Sequence, residues 1–297
     1  MKKSLFLAMG MATAMASCTY DDIGQALTRG EPAHVCISMD GFDVTTMTRT
    51  VSADSSGMLS INFAAIDSTG QIAYSTLQSS KDSVDFGSVS FDVKAGTYTF
   101  VATAYALISG VTISSTGGNA MVTLPDERVC ETFCARQQFT VTAGQEVNLQ
   151  MTLRRVTASL ELKTTDNVPV GAKRVEFLVG DTTKAQYSVF QFNAATGLMD
   201  GFGQSGHLKR SWSILDSEAG SPTVKQFALL LGATSQSLPV TIKIKDKNDE
   251  LLYEHFIPSV PFEQNCITTI TGELYGTTAQ GNLRFDTAWG TPKDGGW

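Results

Sequence analysis

The sequence predicts an all-β protein made of two tandem β-sandwiches, and three observations carry that expectation. Apolar and polar residues alternate with a period of two through short runs such as Ser88–Val93, the pattern of a strand with one face buried. Clusters of Gly, Asp, Asn and Ser split these runs at close intervals, as the turns of a sandwich do. No stretch holds a helical period long enough for the crossover of a parallel sheet. At 297 residues the chain exceeds the roughly 100 that one sandwich needs, so a boundary is placed at Arg154-Arg155.

In the first half, strands are expected at 34–39, 58–66, 71–77, Ser88–Val93, 96–105, 139–141, 145–153 and 157–163. Residues 67–70 read as a turn, and Lys94-Ala95-Gly96 as a hairpin link. Residues 126–135 are irregular and are given a helical turn. The second half repeats the style at 174–179, 187–192, 227–231, 240–245, 251–257, 267–274 and 283–289. Its clearest hairpin turns at Asp246-Lys247-Asn248-Asp249.

Composition removes several functions. A net charge of −7 argues against a nucleic-acid partner, which needs a basic surface excess. Three histidines leave little material for a histidine-based metal centre, and no metal or cofactor is expected. No run reaches the roughly 18 apolar residues of a membrane-spanning helix.

The N-terminus has a cationic start, Met1-Lys2-Lys3, followed by an apolar stretch of secretory length. It ends at Met15-Ala16-Ser17-Cys18, which resembles a bacterial lipobox whose cysteine becomes the lipidated first residue. The alternative is ordinary cleavage near Ala16, with Cys18 incidental. Three acyl chains, at about 0.8 kcal/mol per buried methylene, would hold the protein permanently. Asp21 and Asp22 just past the cysteine resemble the surface-export signal of Bacteroidota lipoproteins. The expected organisation is a lipoprotein signal peptide at 1–17, a tether at 18–32, and sandwiches at 33–154 and 155–297.

Motifs of catalysis are weak. Gly201-Phe202-Gly203-Gln204-Ser205-Gly206 fits GxGxxG, but lacks the strand before and the helix after that a dinucleotide site requires, and reads as a surface loop. Asp246, Asn248 and Glu250 alternate like calcium ligands without the glycine and late glutamate of such a loop. His34, His207 and His255 have no cysteine or carboxylate at metal-ligand spacing, and no GxSxG elbow is present. No catalytic residue is assigned and no enzyme activity is expected. Beyond Cys18, the cysteines Cys36, Cys130, Cys134 and Cys266 allow three pairings, or remain free thiols. Cys130 and Cys134 come within bridging range only in a helical turn, because an extended chain separates them by about 13 Å.

Five stretches, in order, resemble the fimbrillins and fimbrial anchor subunits of type V pili of Bacteroidales. They are Met47-Thr48-Arg49; the strand and turn from Phe63 to Gly70; and Val93-Lys94-Ala95-Gly96-Thr97-Tyr98, similar to an L-x-x-G-T-Y strand. The others are Leu153, Arg155, Ala158 and Leu160 in an L-x-R-x-x-A-x-L pattern, and Asn265, Thr268 and Gly272 in an N-x-x-T-x-x-x-G pattern. The resemblance implies two transthyretin-like β-sandwiches, partnership with other fimbrial subunits by donor-strand complementation, and outer-membrane attachment through Cys18. It also implies a proteolytic processing position at Arg49, with Arg29 a weaker match. Left uncut, the chain would be a fimbrial anchor or minor accessory subunit with a role in adhesion; cut after Arg49, it would be a polymerising shaft pilin. The tail at 283–289 would serve as a strand of its own or as a donor. A different class, a glycan-binding surface lipoprotein, would use Trp212, Trp289 and Trp297 as an aromatic platform.

Overall fold

The computed structural model describes residues 30–40, 59–106, 110–124, 129–275 and 284–286. Among these, nineteen strands and one short 3-10 turn (Asp216–Glu218) make an all-β architecture. The first half holds β1 (Ala33–Asp40), β2 (Leu59–Asp67), β3 (Ile72–Ser79), β4 (Ser88–Val93), β5 (Gly96–Ala106), β6 (Thr112–Thr116), β7 (Asn119–Leu124), β8 (Thr132–Val141), β9 (Glu146–Thr152) and β10 (Arg154–Arg155). The second half holds β11 (Ala158–Asn167), β12 (Arg174–Gly180), β13 (Phe190–Asn193), β14 (His207–Ser213), β15 (Pro222–Leu229), β16 (Ser235–Lys245), β17 (Leu251–Glu263), β18 (Ile267–Gly272) and β19 (Arg284–Asp286).

Two sheets enclose the first core: β4-β1-β9 on one side and β10-β8-β5-β2-β3 on the other. Alternate residues point inward from each, with Val35, Ile37, Val89 and Phe91 meeting Ile61, Phe63, Phe100 and Ala102. The rings of Phe91 and Phe100 stack at 5.9 Å, and Tyr74 stacks on Phe91 at 4.1 Å. The second half packs β15-β11-β18-β19 against β14-β12-β16-β17, around Leu160, Phe177, Leu229, Val240 and Ile242.

The two halves are not separate beads. Phe190–Asn193 of the second half pairs antiparallel with Asn119–Leu124 of the first, giving a sheet β13-β7-β6. Ala64, Val101, Tyr105 and Cys134, on the far face of the five-stranded sheet, join the core of the second half. The central strand β5 of that sheet is therefore buried on both faces. This explains why Phe100–Ala106 is buried without a break, Thr103 included, rather than at alternate positions. Arg155 braces the junction: it pairs with Glu131, lies over the Phe133 ring at 5.0 Å, and donates to Asn265 Oδ1 at 3.0 Å.

Several local expectations need correction. Lys94-Ala95-Gly96 is not a hairpin: β4 pairs with β1, β5 pairs with β2 and β8, and the link crosses between sheets. Alternation reveals a strand but not its partner. The helical turn within 126–135 is absent over 132–135, where β8 is already extended, while 125–128 lie outside the described residues. The loop at 201–206 is not peripheral, since Phe202 is only 1% exposed and stacks on Tyr187 at 5.4 Å. The strands β6, β7, β10 and β14 were not foreseen.

Two turns behave as their residues require. Asp67 Oδ1 accepts from Thr69 N at 2.8 Å and Gln71 N at 2.9 Å, and Gly70 takes a φ of +85°. These bonds hold the Asp67 carboxyl below its ordinary range, with the Thr69 hydroxyl the largest influence. In the β16–β17 hairpin, Asp246 Oδ1 accepts from Asn248 N and Glu250 N, both at 2.8 Å. That oxygen is engaged in the turn itself.

Candidate functional site

The feature that sets this fold apart is β1. It occupies the middle of its sheet, antiparallel to β4 with Ala33 opposite Val93, and parallel to β9 with His34 opposite Glu146. Parallel pairing needs a long connection, and here the strand reaches its neighbour from the far end of the first half. Ala33, Val35 and Ile37 point into the core and are essentially inaccessible. Burial of the Val35 and Ile37 side chains stabilises the half by about 1.5–3 kcal/mol each. Both ends are fixed through backbone bonds, His34 N to Gln145 O at 2.9 Å and Met39 N to Gly87 O at 2.8 Å. Without β1, the ladders of β4 and β9 would lose their partner, and Val89, Phe91 and Met151 would face water. The strand thus fills a groove that its own host sheet defines.

A family model described as a family of unknown function, DUF6562, matches residues 70–296, well over half of the chain. The chain belongs to the DUF6562 family. The matched span begins after β1 and β2. No curated protein matches the sequence. Three of the solved structures that resemble this DUF6562 chain illustrate the likeness. The fimbrial anchor protein Mfa2 from Porphyromonas gingivalis is 10% identical with a TM-score of 0.48, over 87% of this chain and 98% of that one. A candidate adhesin from Bacteroides ovatus is 11% identical with a TM-score of 0.46, covering 87% and 94%. A candidate polysaccharide-binding protein from Bacteroides thetaiotaomicron is 9% identical with a TM-score of 0.43, covering 82% and 92%.

The expected site residues of the DUF6562 protein fall into two groups. Cys18, Arg29 and Arg49 lie outside the described residues, as do Trp289 and Trp297. The four remaining cysteines are free thiols at separate places. Cys36 is on the outward face of β1, and Cys134 is buried beneath Thr103, whose hydroxyl lies 3.8 Å from its sulfur. Burial pushes the Cys134 thiol up to about 12, and pushes Cys130 and Cys266 upward as well. A bridge between Cys130 and Cys134 is not formed, because β8 extends the chain through Cys134. Iodoacetamide is expected to modify Cys36 first in the native protein and to reach Cys134 only after unfolding. Mass spectrometry of the denatured, unreduced protein should show Cys36, Cys130, Cys134 and Cys266 all alkylated; a linked peptide pair would contradict this.

Trp212 does not form an exposed platform. Its ring meets Phe177 edge-on at 5.6 Å and Phe227 at 5.5 Å, as part of the second core. The short segment Arg284–Asp286 of the tail pairs antiparallel with β18, so in this structure it completes its own sheet. The approach to it is tied down at Asp166, whose carboxylate accepts the backbone N–H groups of Leu274 and Tyr275.

Among the described residues no cluster of His, Cys, Asp and Glu could hold a metal ion, and no helix is long and apolar enough to cross a membrane. One contact escaped the sequence reading: His34 touches Asp92 and Ser90, residues more than fifty positions away that the β1–β4 register brings beside it. Equal spacing of Ser90 and Asp92 on an alternating strand was the available sign, but the pairing partner was not.

Proposed function

We propose that this chain is a surface-exposed outer-membrane lipoprotein that acts as a fimbrial anchor or minor accessory subunit, joined to other subunits by strand exchange and serving adhesion. The observation that carries the reading is β1: the first strand among the described residues, buried on its inner face and filling a groove between two ladders. Such a groove suits a replacement strand, since backbone bonds supply affinity and alternate side chains supply register. The Cys18 lipobox and the five family-like stretches support the same reading.

A second reading, the polymerising shaft pilin, has its own support. Arg49 lies between the end of β1 at Asp40 and the start of β2 at Leu59. Cleavage there would remove the covalent link between β1 and the strands it touches, so that departure of β1 would open the groove.

Recovery of the protein from assembled surface fibres decides between the two. A lipid-blocked N-terminus, with palmitate label lost in Cys18→Ala, is expected for the anchor. A sequence starting at Thr50 would instead identify the processed pilin. An unlipidated N-terminus on protein that is absent from fibres would overturn both.

A further inference from the structure

We propose that Ser90 is an activated nucleophile that, with His34 and Asp92, cleaves small esters on the outer face of the β4-β1-β9 sheet. The inference depends on β1 being in place and is independent of the fimbrial reading. His34 Nδ1 lies 2.7 Å from Asp92 Oδ1, and Ser90 Oγ lies 2.8 Å from His34 Nε2. A carboxylate can only accept, so in the neutral imidazole Nδ1 carries the hydrogen and Nε2 presents a lone pair. In that form the Ser90 hydroxyl donates to Nε2. This is the order serine, imidazole, carboxylate that defines a hydrolytic triad by geometry rather than by sequence position.

The β-register brings the three side chains to one face. Ser90 and Asp92 alternate on one face of β4, while His34 sits opposite Asp92 and Cys36 opposite Ser90. The Cys36 thiol donates weakly to Ser90 Oγ at 3.7 Å and holds its remaining side. Glu146 on β9 is the register partner of His34 on the other flank, so the charged groups around the imidazole are Asp92 and Glu146.

A groove of about 570 Å³ opens beside Ser90 on the side away from His34. Its wall is mixed, with polar groups from Ser38, Asp85, Ser88, Asn148 and Gln150 and apolar surface from Ile37, Val89 and Leu149.

The step balances without a further reagent. Ser90 Oγ bonds to the ester carbonyl carbon as its proton passes to His34 Nε2. The tetrahedral centre then breaks the ester C–O bond, and the leaving alkoxide takes that proton as free alcohol. Water repeats the sequence on the acyl-Ser90 ester, releasing the carboxylic acid and restoring the hydroxyl. Ser90 and His34 are the catalytic residues, and Asp92 is a positioning residue. The His34 and Asp92 side chains are 50% and 61% exposed, so water competes and the enhancement belongs at the low end of general-base catalysis, about 100-fold.

The test treats the full chain with a fluorescent fluorophosphonate and locates the adduct by mass spectrometry, with acetate release from glyceryl triacetate as the second readout. Ser38 and Ser88 are internal controls, since they line the same groove without an imidazole partner. Ser90 is expected to react about 100-fold faster than either, and Ser90→Ala to abolish both adduct and acetate release while keeping the melting temperature. Asp92→Asn is expected to lower the rate and alter its pH profile, which a purely structural Asp92 would leave unchanged. His34→Gln should reduce labelling to the level of Ser88, with circular dichroism checking that β1 stays paired. Equal labelling of Ser38, Ser88 and Ser90, or full acetate release by Ser90→Ala, would overturn the proposal.

Discussion

Val35→Asp is expected to unseat β1 and to lower the thermal midpoint by about 10 °C. Val35 is wholly inaccessible, between Phe91 on β4 and Val147 on β9 in the register. An aspartate there would place a carboxylate against Ile37, Phe91 and the rest of the first core, with no cation to meet it. Burial of such a group costs about 4 kcal/mol or more, whether it stays ionised or takes a proton. The cheaper outcome is that the strand leaves. Hydrogen exchange should then accelerate along both β4 and β9, the two ladders that β1 bonds, while β12 and β16 in the second core keep their protection. Ser38→Thr on the outward face is the control and should change stability by no more than about 0.5 kcal/mol. If the vacated groove accepts a free strand, a peptide of residues 33–40 added to Val35→Asp should restore the midpoint. Unchanged exchange at β4 and β9 in Val35→Asp would show that the strand is not held by its buried face.

Gly180→Ala is expected to destabilise the second half by about 3–5 kcal/mol. Gly180 ends β12 with φ +105°, a conformation that side chains rarely adopt. A methyl group at this position would lie 2.7 Å from Gly206 O and 2.9 Å from Gly203 Cα. Both obstacles are main chain, in the loop that carries buried Phe202, so neither can rotate aside. Backbone strain of this kind costs about 1–3 kcal/mol, and overpacking a similar amount. Gly117→Ala separates the two effects, because Gly117 also has a positive φ, +57°, but meets nothing within 4 Å. It should show only the strain, as chemical denaturation of the two variants side by side would reveal. A Gly180→Ala variant no weaker than Gly117→Ala would refute the collision.

What the sequence could and could not reveal follows from the range of the forces involved. The β16–β17 hairpin is legible because turn and strands are contiguous: Asp246, Asn248 and the left-handed Asp249 act within five residues. Val35 and Ile37 are likewise recognisable as buried from alternation alone. The partner of β1 is not, since nothing near His34 records that Glu146 will lie beside it. The shared sheet is hidden for the same reason. Asn119–Leu124 and Phe190–Asn193 are short and ordinary, and their pairing is decided by how the two halves meet. The His34, Asp92 and Ser90 contacts depend on that long-range register too, so spacing along the chain could not find them. The Cys134 thiol was one of two open alternatives, and the extended β8 backbone selects the free form.

The parallel seating of β1 against β9 carries a consequence for the order of events at birth. His34 emerges early, yet its neighbour Glu146 appears more than a hundred residues later. Ribosomes add roughly 5–20 residues each second, so the first strand must wait some seconds with one companion missing. During that delay the sheet is an unfinished seam, and whichever extended segment arrives with suitable alternation can close it. Loop closure over such a distance is slow, so kinetics rather than stability would determine which strand takes the place.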